Sequence, residues 1–270
     1  MPELPEVETV RRKLLQRLQN KKITDIDIIY PKVFETDILE LKKEIINKTI
    51  KDIKRVGKYL IFDLDDYKLI SHLRMEGKYF IKELVLPLDK HDLVTFTIDN
   101  KFSLRYNDTR KFGKMQFLKN DEESKSLSKL GYEPFDKLLT TDYLKSKLKN
   151  KSLPIKSILL DQTIISGIGN IYADEILFKS KINPLKKGKD LNEKELSLII
   201  DNSIIILNKA IEDGGTTIRS YTSLDGEIGN FQNNLYVHRN EGNKCSECDS
   251  IIEKIKVNGR GTYFCPKCQK

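Results

Sequence analysis

The start of the chain predicts an amphipathic helix that opens a β-rich domain. Residues 1–19 read MPELPEVETVRRKLLQRLQ. Apolar side chains recur there at helical spacing, with basic residues between them: Val7, Val10, Leu14, Leu15 and Leu18. The pattern predicts a helix from about Pro5 to Gln19, and the strand signals that follow give this helix a surface to pack on.

Pro2 is a candidate nucleophile. Removal of Met1 would leave a proline amine as the free N-terminus, and such an amine can attack carbon and form an iminium ion. An α-amino group has a reference pKa of about 7.7–8.0, against about 10.4 for lysine, so far more of it is neutral at pH 7. Glu3 and Glu6 follow within one helical turn and could move protons for this amine. The alternative is an ordinary helix start, because proline and acids both suit a first turn.

Short strand signals dominate the next hundred residues. Asp99-Asn100 predicts a hairpin turn between two alternating runs. Many short strands beside one long helix predict a β-sandwich domain. The predicted strands are Ile23–Ile29, Ile50–Val56, Tyr59–Leu64, Leu69–Leu73, Tyr79–Ile81, Leu93–Ile98, Phe102–Tyr106 and Met115–Leu118.

A polar linker near Asp121–Pro134 separates this region from a helical one. The glycine turn Ser166–Asn170 precedes the third predicted helix, and it could hold a DNA phosphate or simply connect two elements. We expect three domains, at residues 1–133, 134–235 and 236–270. The predicted helices are Asp142–Lys149, Ile155–Leu160, Ile171–Lys179 and Glu193–Ile211.

The four cysteines predict a zinc site. Cys245, Cys248, Cys265 and Cys268 form two C-x2-C pairs separated by sixteen residues, a spacing typical of two knuckles on a β-hairpin. Two disulfides are the alternative, which a reducing cytoplasm disfavours. A closed four-sulfur site leaves no open position for substrate, so we expect one structural Zn²⁺ that holds the fold and does no chemistry. We expect no organic cofactor.

Arg260 lies in the predicted turn of this hairpin, which we expect at Asn258–Gly261. Its two glycine neighbours let the backbone approach another surface closely, so the guanidinium could reach a DNA phosphate. From the sequence pattern alone, an arginine that only faces solvent in the turn is an equally good interpretation.

The overall composition favours a polyanionic partner and no membrane. The net charge is +8 and charged residues make up 33% of the chain, although a lysine-rich protein without such a partner would look similar. No signal peptide is visible, and the most apolar stretch, Leu196–Ala210, is interrupted by polar residues. We therefore expect a cytoplasmic protein.

Several sequence blocks resemble bacterial formamidopyrimidine-DNA glycosylases. This resemblance covers the whole chain in order and implies an α+β multidomain fold. Its parts are an N-terminal β-sandwich carrying the first helix, a helical domain with a helix–two-turn–helix, and a zinc-ribbon hairpin with four cysteine ligands. The matching blocks are Pro2–Arg12, Lys58–Leu60, His72–Gly77, Arg110–Gly113, Gly167–Glu175, Gly214–Thr217 and the cysteine module.

The resemblance also implies catalytic roles. Pro2 would attack the sugar C1′ of a damaged nucleotide, and Glu3 would act as general acid and base for base loss and ring opening. Lys58 would be the proton donor for β-elimination and Arg260 that for δ-elimination. Glu6 would support the site.

The family pattern further implies DNA contacts. Residues 216–232 match a loop that closes over the lesion, whereas Val237-His238-Arg239 departs from the more common Val-Tyr-Gly and leaves local contacts and packing open. The positions near DNA phosphates are His91, Arg110, Lys151 and Asn170. The gap left by an extruded base would be filled by Met75, Arg110 and Phe112.

The function implied is a bifunctional glycosylase and AP lyase for oxidised purines in double-stranded DNA. It would act as a monomer in base excision repair at the bacterial nucleoid. The Leu4–Thr9 block and the full-length 213–234 loop favour this over the sister endonuclease VIII type, which prefers oxidised pyrimidines. Two competing hypotheses are a DNA-binding zinc protein without catalysis and a degenerate family member that binds lesions without cutting.

Overall fold

The computed structural model describes residues 1–216 and 229–270 of the protein. These residues form two compact units: Met1–Ser128 with Thr216 and Gly229, and Lys129–Gly215 with Asn230–Lys270. No helix in the described ranges is both long and apolar enough to span a membrane.

The elements of the first unit are α1 Leu4–Leu18, β1 Lys21–Ile28, α2 Ile38–Ile45, β2 Thr49–Val56, β3 Tyr59–Leu64, β4 Tyr67–His72, β5 Lys78–Glu83, β6 Asp92–Ile98, β7 Phe102–Asn107 and β8 Lys114–Lys119. Those of the second are α3 Thr141–Leu148, α4 Ile155–Leu159, α5 Asn170–Lys179, α6 Glu193–Glu212, β9 Glu253–Val257 and β10 Arg260–Phe264.

The first unit is the predicted β-sandwich. Its antiparallel strands follow the order β5-β7-β6-β1-β2-β3-β4-β8. Strand β1 belongs to both layers, because Lys21 and Lys22 pair with β2 while the rest of the strand, Ile23–Ile28, pairs with β6. The apolar faces of the two layers and of α1 share one buried core. The fold class expected from the sequence is confirmed.

Helix α1 packs its apolar stripe on β2 and β3. Val10, Leu14 and Leu18 are almost fully buried, so truncation of a side chain such as Leu14 to alanine should cost about 2–5 kcal/mol. The helix ends at Leu18, and Asn20 then adopts a left-handed conformation with φ 62°. The predicted helix is confirmed to within one residue at each end.

Helix α2 was missed by the sequence analysis. Its signal is Asp37, whose carboxylate accepts hydrogen bonds from the backbone N–H groups of Leu39 and Glu40. Leu41 and Ile45, four residues apart, are the side chains that this short helix buries in the sandwich core. A capping residue followed by an i, i+4 apolar pair is thus the sequence pattern that indicates this helix.

The second unit is helical and ends in the zinc hairpin. All four predicted helices are confirmed, with ends that differ by no more than one residue. Helix α5 is at the centre: Tyr172–Phe178 are all buried, and the helix packs against both α6 and β10. Because α5 starts at the glycine turn, its burial fixes that turn relative to the hairpin.

Candidate active site and zinc centre

The start of the chain is buried and held by hydrogen bonds. Glu3 and Glu6 are each only 3% exposed, and Pro2 is buried beside them. The backbone N–H of Glu3 donates to Glu6 Oε2 at 2.8 Å, which closes the first turn of α1. Glu6 Oε1 accepts from the backbone N–H and the hydroxyl of Thr216, at 2.8 and 3.1 Å. Glu6 therefore fixes the helix start to the residue that precedes the undescribed segment 217–228.

Lys58 lies in the two-residue turn between β2 and β3. Gly57, the first turn residue, has φ 57°, a conformation that glycine adopts without strain. Lys58 is only 4% exposed, which is rare for a lysine and marks a functional candidate. The sequence pattern alone would have placed this side chain in solvent.

The carboxylates of Glu3 and Glu6 and the ammonium of Lys58 all lie within electrostatic reach of the N-terminal amine. Burial lowers the pKa of the α-amino group at Met1; Glu3 and Glu6 oppose this shift, and Lys58 adds to it. With Met1 in place the nitrogen of Pro2 is an amide without nucleophilic character. Removal of Met1 would convert it into a buried secondary amine with carboxylates nearby.

His72 supports this cluster as a neutral side chain. Burial, followed by the positive charges of Arg74 and Lys58, lowers the pKa of His72 to about 3. Its Nδ1 accepts the backbone N–H of Arg74 at 2.9 Å, and its ring lies edge-on to Tyr59 with centroids 4.4 Å apart. At pH 7 the imidazole thus adds no further positive charge beside Lys58.

Tyr106 brings the two predicted gap-filling loops together. Its hydroxyl occupies the space where a side chain would begin at Gly77 and at Gly113, since an added Cβ would lie 2.3 and 1.6 Å from it. Only glycine fits at either position. The loop that carries Met75 is therefore packed beside the loop of residues 108–113.

Asp108 organises the second of these loops, and the sequence analysis missed it. Its fully buried carboxylate accepts backbone N–H bonds from Arg110, Phe112 and Gly113, at 2.9, 3.0 and 2.8 Å. Phe112 is 51% exposed, and the Arg110 guanidinium carbon lies 4.8 Å from its ring centroid. An exposed aromatic ring with a cation over it can stack on a base.

His91 is held next to the same loop. Its backbone carbonyl accepts the N–H of Asp108 at 3.0 Å. The segment before it is fixed by Arg105, a buried residue whose guanidinium donates to the carbonyls of Leu86 and Pro87 at 2.6 and 2.7 Å. The structure therefore brings His91 and Arg110, two predicted phosphate contacts, to one region of the first unit.

The other two predicted phosphate contacts belong to the second unit. Asn170 is the first residue of α5; its Nδ2 donates to the carbonyl of Gly261 at 3.0 Å, and its buried Oδ1 has no hydrogen-bond partner among the described residues. Lys151 is partly exposed, with Nζ 4.0 Å from Asp161 Oδ2. Asn170 is thus built into the structure, whereas Lys151 forms a loose surface ion pair.

The hairpin turn is shorter than predicted. Val257 pairs with Arg260, so the turn consists of Asn258 and Gly259 alone. Both have positive φ, 44° and 78°, which is the geometry of an Asn-Gly two-residue turn. Arg260 is therefore the first residue of β10 instead of a turn residue, and its side chain is exposed.

A buried ion pair that the sequence did not predict lies behind Asn170. Lys156 Nζ is 2.6 Å from Asp174 Oδ1 and 2.7 Å from the backbone carbonyl of Asn170. The other oxygen of Asp174 is 2.7 Å from His238 Nδ1. His238, in the segment where the sequence departs from the family pattern, thus packs inward as a partner of Asp174.

The four cysteine sulfurs form a cluster that fits one zinc ion. All four Sγ atoms lie within 4.8 Å of one another, with 3.4 Å between Cys248 and Cys265 and 3.9 Å between Cys245 and Cys268. Zn–S bonds of about 2.3 Å in a tetrahedron require sulfurs about 3.8 Å apart. Two of the cysteines pack into an apolar cluster with Phe178, so the ion would hold the hairpin to α5.

The predicted lesion loop, residues 216–232, lies mostly outside the described residues. Within it the structure describes Thr216 and the segment from Gly229 onward, where Phe231 packs on Tyr172 with ring centroids 5.6 Å apart.

Comparison with known proteins identifies three family domains in order. Residues 1–115 match the Formamidopyrimidine-DNA glycosylase N-terminal domain, residues 130–222 the Formamidopyrimidine-DNA glycosylase H2TH domain, and residues 242–270 the zinc finger found in FPG and IleRS. A sandwich domain, an H2TH domain and a zinc finger in this order define a class of zinc-containing DNA glycosylases.

Full-length relatives agree with this class. The chain is 48% identical to the formamidopyrimidine-DNA glycosylase of Ligilactobacillus salivarius and 47% identical to that of Lactococcus lactis subsp. cremoris, covering 100% of this chain and 99% and 100% of those proteins. Structures of Lactococcus lactis Fpg superpose with a TM-score of 0.92 at 46% identity over 100% of both chains, in complexes with DNA containing Fapy-dG or an abasic site. The chain belongs to the formamidopyrimidine-DNA glycosylase family.

Proposed function

We propose that this protein is a monomeric, bifunctional DNA glycosylase and AP lyase of base excision repair at the bacterial nucleoid. It excises oxidised purines, formamidopyrimidines and 8-oxoguanine, from double-stranded DNA and then cuts the strand. The observation that carries this proposal is the buried cluster of Glu3, Glu6 and Lys58 around the start of the chain. The names of the relatives and the Fapy-dG complex of the Lactococcus lactis protein support the choice of substrate.

In the first step the lone pair of the Pro2 nitrogen forms a bond to the sugar C1′, and the bond from C1′ to the base breaks. The base leaves with the electron pair of the broken bond. Glu3 takes up the proton that the Pro2 nitrogen loses after this attack. It passes that proton to O4′ as the C1′–O4′ bond opens, which leaves an iminium ion between Pro2 and the sugar. Glu6 keeps the start of α1 in place for this attack through its bonds to Glu3 and Thr216.

The iminium then acts as the electron sink for strand cleavage. It acidifies the C2′ proton, and loss of that proton expels the 3′ phosphate; Lys58 is the proton donor for this β-elimination. Loss of the C4′ proton then drives a second elimination, which breaks the C5′–O bond and expels the 5′ phosphate. Arg260 assists there with N–H groups directed at the leaving oxygen, because a guanidinium stays protonated and stabilises the developing charge.

Base extrusion precedes all of these steps. A base stacked in a duplex hides its C1′, and flipping the nucleotide costs a few kcal/mol. Met75, Arg110 and Phe112 offset part of this cost by entering the vacated space. The exposed Phe112 ring and the Arg110 cation over it support that role, and His91, Asn170 and Lys151 would hold the neighbouring phosphates.

Borohydride trapping tests the proposal. Enzyme incubated with a duplex carrying an 8-oxoguanine:cytosine pair should form a covalent adduct when borohydride reduces the iminium. Pro2→Gly should strongly reduce adduct formation, while substitution of an exposed residue such as Lys145 on α3 should not. DNA binding without any trapped adduct would favour a non-catalytic DNA-binding zinc protein, and an undiminished adduct in Pro2→Gly would remove Pro2 as the nucleophile.

Oxidised pyrimidines are the competing substrate class. The wild-type Lactococcus lactis protein has been solved with DNA containing an oxidised pyrimidine, at 45% identity to this chain. Measuring kcat/KM for 8-oxoguanine and for an oxidised pyrimidine in the same duplex separates the two. We expect the purine to be preferred; a reversed ratio would assign the protein to pyrimidine repair.

A further inference from the structure

The hairpin turn that precedes Arg260 is hydrogen-bonded on both sides to the helices of its own unit. On one side Asn258 Nδ2 donates to Ser157 Oγ at 2.8 Å. On the other side Asn170 Nδ2 donates to the carbonyl of Gly261 at 3.0 Å. Arg260 lies between these two bonded positions, and its own side chain is exposed.

Both bonds start from helices that are joined by the buried ion pair. Ser157 follows Lys156 on α4, and Asn170 opens α5. The ammonium of Lys156 bonds to Asp174 and to the backbone carbonyl of Asn170, so it ties α4 to the first turn of α5. The two bonds to the hairpin therefore come from one rigid support.

A two-stranded hairpin needs such support. On its own it is at best marginally stable, and here the cysteine cluster lies at the end opposite to the turn. The turn would otherwise move relative to α5, and Arg260 would move with it. A group that assists a leaving oxygen must be held within about 0.5 Å of its working position.

We propose that Ser157 and Asn258 are positioning residues for Arg260, and that their hydrogen bond sets how efficiently the second elimination follows the first. The inference rests on the proposed function, which assigns Arg260 to δ-elimination. Neither residue needs to touch the reacting sugar for this effect. The bond holds the turn, the turn holds the first residue of β10, and the guanidinium then reaches the 5′ phosphate.

The test uses three variants of the full-length zinc-loaded protein. Ser157→Ala removes the acceptor. Asn258→Gly removes the donor and keeps the positive φ of 44° that the turn requires. The double variant removes both, and Ser146→Ala, at an exposed serine on α3, is the matched control.

The readout is the partition between products in a single turnover with excess enzyme on an abasic-site duplex. Gel electrophoresis separates the β-elimination product from the β,δ-product and gives their ratio. The amount of active enzyme is measured separately, as the borohydride-trapped adduct. A general folding defect changes the amount of adduct and leaves this ratio unchanged. Each single variant should lower the δ-to-β ratio by about threefold to tenfold, the effect expected from one neutral hydrogen bond. The double variant should be no worse than either single one, because both remove the same bond.

A ratio unchanged in Ser157→Ala or in Asn258→Gly would overturn the inference. Losses that multiply in the double variant would overturn it too, because the residues would then act separately. If the wild-type protein gives neither adduct nor strand break, the proposed function fails and the inference falls with it. If the wild type completes both eliminations and the variants have the same δ-to-β ratio as the wild type, the positioning role alone is refuted.

Discussion

Replacement of Lys156 by methionine should destabilise the second unit by about 5 kcal/mol. The Lys156 and Asp174 side chains are both 0% exposed, with Nζ 2.6 Å from Oδ1. Methionine fills similar space, but it leaves the buried Asp174 carboxylate with His238 as its one remaining side-chain partner among the described residues. Breaking a buried pair in this way costs about 3–5 kcal/mol. The carbonyl of Asn170 also loses its donor, which adds about 1 kcal/mol. The melting temperature of this unit should therefore fall by roughly 15–20 °C.

Thermal and urea unfolding followed by circular dichroism would measure this loss. Lys145→Met, at an exposed lysine on α3, is the control and should change stability by no more than about 0.5 kcal/mol. Lys156→Met combined with Asp174→Asn should recover part of the loss, because no uncompensated charge then remains buried. The reasoning fails if Lys156→Met is no less stable than the control, or if the double variant is less stable than Lys156→Met.

Three further predictions concern the other parts of the molecule. The pKa of His72 in the folded protein is about 3, below the unfolded value near 6.5, so stability is lost as the pH falls between these values. In urea titrations from pH 7.5 to pH 5, the wild type should lose about 2 kcal/mol more stability than His72→Gln. Equal losses in the two proteins would contradict the burial argument. Metal analysis should find one zinc per chain. Removal of that zinc by a chelator should unfold the β9–β10 hairpin, and hydrogen exchange would measure this. A metal-free hairpin that stays protected from exchange would contradict a structural site. Phe112→Ala should lower kcat/KM on 8-oxoguanine DNA by about tenfold, against a smaller loss in Phe112→Tyr, and equal losses would argue against stacking.

Local patterns predicted most of the fold. The stripe of α1, the alternating strands and the spaced cysteines each determine a contiguous element from a handful of neighbouring residues, and the structure has all of them. Helix α2 was missed because it buries only Leu41 and Ile45, too few side chains for an obvious period. The turn before Arg260 was predicted too long because Asn258 and Gly259 are sufficient to reverse the chain. The residue boundaries between the three domains stay predictions.

The supporting residues of the site could not be predicted from the sequence. Lys156 and Asp174 are buried only because α4 and α5 pack together, and the spacing of a short helix gives no sign of that. Asp108 became important through three backbone N–H groups of its own loop, which an Asp before a turn only hints at. Glu3 and Glu6 were named because they follow Pro2 within one helical turn, and Lys58 was named through family resemblance. The burial of all three came from the structure. The catalytic and DNA-contact roles themselves stay predictions.

Peptide mapping of the borohydride-trapped adduct tests the central claim most directly. Trapped protein is digested after the DNA is degraded to a sugar remnant, and mass spectrometry locates that remnant. The account predicts that it lies on the nitrogen of an N-terminal peptide that begins at Pro2, with Met1 absent. A remnant on the side chain of Lys58 or another lysine, or on a chain that still carries Met1, would contradict it.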